Sequence, residues 1–311
     1  MAAQTDGAAL EVDTGRARVG RIELAYDRFG DPERGRPLVL IMGIGAQRVM
    51  WDDGFCGQLV ARGFCVVRFD HRDIGESTRL DAAVPSPARN LMRRMIGARI
   101  DAPYTLSDMA GDVAGLIDTL GFGAAHIVGV SLGGMVGQHL AIEHPARVRS
   151  LVSIMSTPGA RRYLPEPRAM LALFRKTPRT AEQAGRQVEH VFRTIGSTAW
   201  PLDIARLRRS GERAFARGVS PRGQLRQFAA VLASGDRAER LRGVHVPTLV
   251  IHGSRDPMFP LRAGRDLARL MPDATWLPIT GMGHDLPSPL WPTLVAAIAR
   301  HAERADARAP R

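Results

Sequence analysis

From residue 19 to residue 301 the chain alternates short, continuously apolar runs with stretches of helical period. This rhythm restricts the fold more than any other feature of the sequence. The runs PLVLIMG (37–43), FCVVRFD (64–70), AHIVGV (125–130), VRSLVSIM (148–155) and VPTLVIHG (246–253) are apolar at nearly every position. Strands read that way when both faces are covered, as in a parallel sheet. An alternating segment at 19–29, with Ile22, Leu24 and Tyr26 in step, and ATWLPI (274–279) supply a first and a last strand. Helical spacing marks 105–121, where Leu106, Met109, Val113, Leu116, Ile117 and Leu120 share a face, and also 132–145, 261–271 and 289–301. The order predicts a doubly wound, mostly parallel α/β sheet.

Residues 156–245 break the rhythm. They are helical in pattern and hold no convincing strand, so they read as a helical cap inserted after the fifth of these strands. The core is then 1–155 together with 246–302, and 303–311 reads as a disordered, solvated tail. The cap also concentrates the charge. The chain has a formal net charge of +12, and residues 156–245 carry 18 basic against 7 acidic residues. An apolar fraction of 45% excludes a disordered chain. No run approaches the roughly 18 apolar residues of a membrane span. The first fifteen residues carry acids and no long apolar segment, unlike a secretory leader. Cys56 and Cys65 form neither a disulfide framework nor a zinc pattern, so a reducing, cytoplasmic setting is expected.

Gly129-Val130-Ser131-Leu132-Gly133 stands where a buried strand gives way to a helix. A turn that tight exposes the serine hydroxyl at the carboxyl edge of the sheet and leaves no room for bulk two residues to either side. It also puts the Leu132 amide at a helix N-terminus, where unpaired N–H groups favour negative charge. The alternative is a glycine-rich turn that binds a phosphate or nothing.

A serine needs a base, and the base needs an orienting acid. Of nine histidines, seven (His126, His139, His144, His190, His245, His252 and His301) fall in or beside predicted helices and strands. His284 lies in the loop GMGHD after the last strand, on the same sheet edge as Ser131. Asp256, in HGSRDP after the sixth strand, is the expected acid; Asp285 adjoins His284 and is poorly placed to meet its ring. A second oxyanion donor is expected from Met42-Gly43-Ile44-Gly45, through the Ile44 amide.

These segments together resemble the α/β-hydrolase superfamily over about 20–155 and 245–302. MGIG (42–45), DHRDIGES (70–77), GVSLGG (129–134), HGSRDP (252–257) and GMGH (281–284) carry the likeness. The resemblance implies that 70–77 is a structural turn, with Asp70, Arg72, Asp73 and Ser77 forming a hydrogen-bonded corner. Asp73 departs from the pattern, which often has glycine there, and Met42 stands where many members have histidine. Met42, the run LIMGIGAQ followed by Trp51, and GMGHDLP are similar to bacterial esterases of the aclacinomycin methylesterase and LipG-like lipase type. That implies a serine esterase or lipase, or a thioester hydrolase, with neither metal nor organic cofactor. Carbon–carbon hydrolases and cofactor-free haloperoxidases share the same three groups, and some relatives only bind ligands.

A small-molecule or lipid ester is the expected substrate. MLALF (170–174), VFRTIG (191–196) and QFAAVL (227–232) offer apolar faces to a pocket that Trp51, Met155 and Met282 would complete, although each also reads as ordinary core. Residues 85–99 set Leu91, Met92, Met95 and Ile96 on one helical face among Arg89, Arg93, Arg94 and Arg99. That segment reads either as a solvated arginine-rich face or, with the basic cap, as a surface for anionic lipid or an anionic substrate. Nucleic acid is not an expected partner, because no recognition motif accompanies the charge. Oligomeric state is not legible.

Overall fold

In the computed structural model, which describes residues 12–308, the chain opens on β1 (Val12–Val19) and β2 (Ile22–Phe29). There follow β3 (Arg36–Ile41), α1 (Asp53–Val60), β4 (Phe64–Phe69), α2 (Pro87–Met95), α3 (Leu106–Thr119), β5 (Ala125–Val130), α4 (Leu132–Glu143) and β6 (Val148–Ile154). Five helices come next: α5 (Pro167–Leu173), α6 (Ala181–Ile195), α7 (Ile204–Ala216), α8 (Pro221–Ser234) and α9 (Ala238–Leu241). The chain closes through β7 (Thr248–Gly253), α10 (Leu261–Leu270), β8 (Ala274–Ile279) and α11 (Trp291–Arg308).

The eight strands form one sheet in the order β1-β2-β4-β3-β5-β6-β7-β8. β1, β2 and β4 pair antiparallel, and every pairing from β4 to β8 is parallel. The period of two explains how the consecutive apolar runs are used. Val39, Ile41, Val67, Phe69 and Ile127 face one layer, against Met109 and Val113 of α3, Leu140 of α4 and Leu267 of α10. Leu38, Leu40, Val66, Val128 and Val152 face the other, against Phe55 and Leu59 of α1 and Leu294 and Ile298 of α11. Both cysteines are free and buried; burial pushes the Cys56 thiol up to about 12.

Two expectations are corrected. The early strand is a hairpin, so the sheet has eight strands rather than seven. β1 lies at the sheet edge with only Ala17 buried, which hides it from a reading based on apolar pattern. The expected disordered tail, 303–311, is helical as far as Arg308, because Ala302 and Ala305 continue the buried face of α11 and Asp306 pairs with Arg36 at 3.5 Å. Residues 309–311 lie outside the described residues. No helix among the described residues is long and apolar enough to cross a membrane.

The 70–77 turn ties the layers together. Arg48 has no exposed side-chain surface and reaches Asp27 at 2.9 Å and Asp70 at 2.5 Å. Burial alone would raise Asp27, but Arg48 and Arg68 hold its carboxyl below the usual range. Ser77 Oγ donates to the Asp70 carbonyl at 2.6 Å. Asp73 occupies a left-handed conformation, φ +72°, which favours glycine. What the aspartate supplies there is a buried carboxylate for Arg226 of α8, at 2.7 and 2.8 Å. Asp73→Gly relieves the backbone but leaves a buried guanidinium unpaired, so it should lower unfolding stability by about 3 kcal/mol. Urea denaturation measures this, and Asp73→Gly combined with Arg226→Met should recover part of the loss.

Candidate active site

β5 delivers Ser131 and α4 leaves from it. The serine has φ +54° and ψ −117°, outside both strand and helix. Its backbone is held by a donation from its amide to the Ile154 carbonyl at 2.9 Å and by Ser156 Oγ donating to its carbonyl at 2.8 Å. A Cβ on Gly129 would stand 2.2 Å from the Gly133 carbonyl oxygen, and one on Gly133 would stand 2.1 Å from that of Ile41. The turn therefore accepts only glycine at those two places.

Asp256 and His284 follow β7 and β8, so both arrive at the sheet edge that presents Ser131. His284 Nδ1 lies 2.8 Å from Asp256 Oδ2. The other carboxylate oxygen accepts from the Met258 and Phe259 amides at 2.7 and 3.0 Å, which prevents the acid from turning. An ionised carboxylate only accepts, so Nδ1 carries the hydrogen and Nε2 keeps its lone pair. Ser131 and His284 both line one cavity of about 320 Å³; Asp256 sits behind the ring. No direct hydrogen bond joins the Ser131 hydroxyl to His284 Nε2 among the described residues; such contacts commonly tighten when substrate is present.

His252, which reads as an ordinary strand residue, also reaches the acid. Its Nε2 donates to the Phe259 carbonyl at 3.0 Å and lies 3.5 Å from Asp256 Oδ2. Its position facing Asp256 depends on β7 and the 256–259 turn folding together, which no spacing rule reveals. Asp285 takes no part in orienting the ring. Its carboxylate accepts from the Ser197 amide and hydroxyl.

The loop after β3 brings Gly43 against Ser131; a Cβ on Gly43 would be 3.5 Å from that of the serine. Neither the Ile44 nor the Leu132 amide donates to an acceptor among the described residues. The loop is braced from both sides. His71 Nε2 donates to the Met42 carbonyl at 3.0 Å, and the Gly45 amide donates to Gln227 Oε1 at 2.8 Å. Burial pushes His71 down to about 4, so the ring stays neutral and keeps this bond.

Cap helices roof the cavity. Val188, Val191 and Phe192 of α6 and Leu207 of α7 face Met42, Ile44 and Met155 of the core. Of the apolar cap segments, 170–174 contributes Leu173 and 191–196 contributes Val191, Phe192 and Ile195. The 227–232 segment does not line it; Ala230 packs into the main core. Of the three expected pocket residues, only Met155 lines the cavity. Trp51 is buried against Phe55, with ring centroids 5.5 Å apart, and Met282 is wholly buried with Trp291 and Ile251; both belong to the core behind the site.

The cap also grips the histidine loop. The His284 amide donates to the Ile195 carbonyl at 2.7 Å, and the Gly283 amide donates to Ser197 Oγ at 3.0 Å.

The chain is 29% identical to rhodomycin D methylesterase DnrP of Streptomyces peucetius over 308 residues, covering 91% of this chain and 96% of that one. Among solved structures it resembles the 2-hydroxy-6-oxo-6-phenylhexa-2,4-dienoate hydrolase of Rhodococcus sp. strain RHA1, with a TM-score of 0.73 at 20% identity, covering 95% of this chain and all of that one. The enol-lactonase of Burkholderia xenovorans LB400 matches with a TM-score of 0.68 at 23% identity, over 93% of this chain and all of that one. A family model described as the alpha/beta hydrolase fold matches residues 36–287, and the chain belongs to that family.

Proposed function

We propose that the protein hydrolyses carboxylic esters through an acyl-enzyme on Ser131. The observation that carries this reading is the anchored ring. With Nδ1–H held by Asp256, Nε2 is the ring nitrogen left to act as base, and His284 lines the same cavity as Ser131. The serine oxygen attacks the acyl carbonyl while His284 takes its proton. The oxyanion of the tetrahedral intermediate is received by the Leu132 and Ile44 amides, one such donor being worth about 3–4 kcal/mol of transition-state stabilisation. Collapse expels the alcohol, which takes the proton back from His284. Water, deprotonated by the same nitrogen, then attacks the acyl-enzyme and frees the acid and Ser131.

Ester chemistry is favoured by the methylesterase likeness along nearly the whole chain. The mostly apolar roof suits a compact apolar acyl or alcohol group. The test is a panel of methyl, p-nitrophenyl and thioesters run in oxygen-18 water. Turnover with one heavy oxygen in the acid and none in the alcohol is the expected result. Turnover confined to carbon–carbon cleavage of a vinylogous diketone, or to peroxide-dependent halogenation, would replace this reading with the corresponding chemistry. No turnover and no fluorophosphonate adduct would leave a ligand-binding protein.

A further inference from the structure

α2 is mounted with its polar side inward. Buried Asn90 exchanges two hydrogen bonds with the Asp101 backbone, at 2.7 and 3.0 Å. One turn on, Arg94 donates to the Leu232 and Gly159 carbonyls at 3.0 and 3.1 Å. The opposite face holds Leu91, Met92, Met95 and Ile96, which are 52, 65, 76 and 74% exposed. An amphipathic helix of a globular protein normally does the reverse, burying its apolar stripe. A contiguous exposed patch of four large apolar side chains marks a surface made to be covered.

The surroundings state what covers it. The chain past α2 runs directly into a surface depression whose exposed cations are Arg99, Arg161 and Arg162; Arg94 forms its inner wall, committed to the two carbonyls, and Arg162 also lies 3.6 Å from Asp266. Asp236 is the only carboxylate on that wall among the described residues. Asp101, nearby, is already paired with Arg93. Burial and the adjacent Arg161 cation both push Arg94 down from its ordinary value, as happens where positive charge is crowded. A second copy of this chain would bring the same basic depression toward this one. An anionic lipid surface supplies both complements at once, acyl chains for the four apolar side chains and phosphate for the arginines.

We propose that α2 is an interfacial helix that seats the protein on anionic membranes, with Leu91, Met92, Met95 and Ile96 entering the acyl boundary and the arginine-lined depression receiving lipid phosphate. The inference is independent of the chemistry at Ser131. The test is co-sedimentation of the full chain with phosphatidylcholine vesicles, with and without phosphatidylglycerol, whose negative surface potential attracts basic segments. The anionic vesicles should bind the protein on the order of tenfold more strongly. Replacing all four apolar residues with glutamine should remove most of that binding while leaving ester turnover and the unfolding midpoint unchanged. Leu91→Trp should show a blue-shifted emission on anionic vesicles only. Three results would overturn the proposal: equal binding to both vesicles, undiminished binding of the glutamine variant, or a dimer in sedimentation equilibrium that the glutamine variant abolishes and that binds no vesicle.

Discussion

Ser131→Ala should lower kcat for a p-nitrophenyl ester on the order of 10^5–10^6-fold. The reason lies in what the alanine leaves behind. The cavity, the His284–Asp256 pair and both amides remain, so substrate still binds, but no oxygen is available to form the acyl bond. Residual rate then comes only from a water that His284 happens to activate beside the amides. Alanine keeps the Cβ and therefore the packing of the turn, and the unfolding midpoint should move little. The wild type should take up one fluorophosphonate equivalent and the variant none. A variant turning over within tenfold of the wild type would remove Ser131 from the chemistry, whatever the fold.

Asp256→Asn should cost about 10^4-fold in kcat with little loss of stability. The side-chain oxygen can go on accepting from the Met258 and Phe259 amides, which fixes the orientation of the amide group. Its nitrogen then occupies the Oδ2 position, 2.8 Å from His284 Nδ1. A donor there obliges Nδ1 to accept, so the hydrogen moves to Nε2 and the ring can no longer take a proton from serine. His252 Nε2–H, 3.5 Å from the same position, disfavours a nitrogen there only weakly, whereas the flipped amide would set its nitrogen against the two closer amide donors of the turn. Steady-state kinetics with an NMR reading of the His284 ring hydrogen separates this cause from misfolding. A variant with normal rate and the hydrogen still on Nδ1 would contradict it.

The strands that build the site were legible because they are covered on both sides. Apolar runs ending at 43, 130 and 253 need no tertiary information to be placed in a parallel sheet, and from that placement the loops bearing Gly43, Ser131 and Asp256 share an edge. β1 escaped because an edge strand with polar residues on both faces has no pattern to find. The last turns of α11 escaped because alanine among charges does not stand out as a buried stripe. Trp51 and Met282 read like pocket residues because proximity to a strand end says nothing about which side of the backbone a side chain takes. The Asp73–Arg226 pair joins positions 153 residues apart and follows from neither one alone.

The grip of residues 195–197 on the loop carrying His284 makes the roof part of the frame that holds the proposed general base. Grafting a different roof onto this sheet to alter substrate preference would therefore change turnover number as well as selectivity, unless the graft kept the short connection after α6 intact. Screens for new specificity in this scaffold should leave that junction untouched and vary the inward faces of α6 and α7.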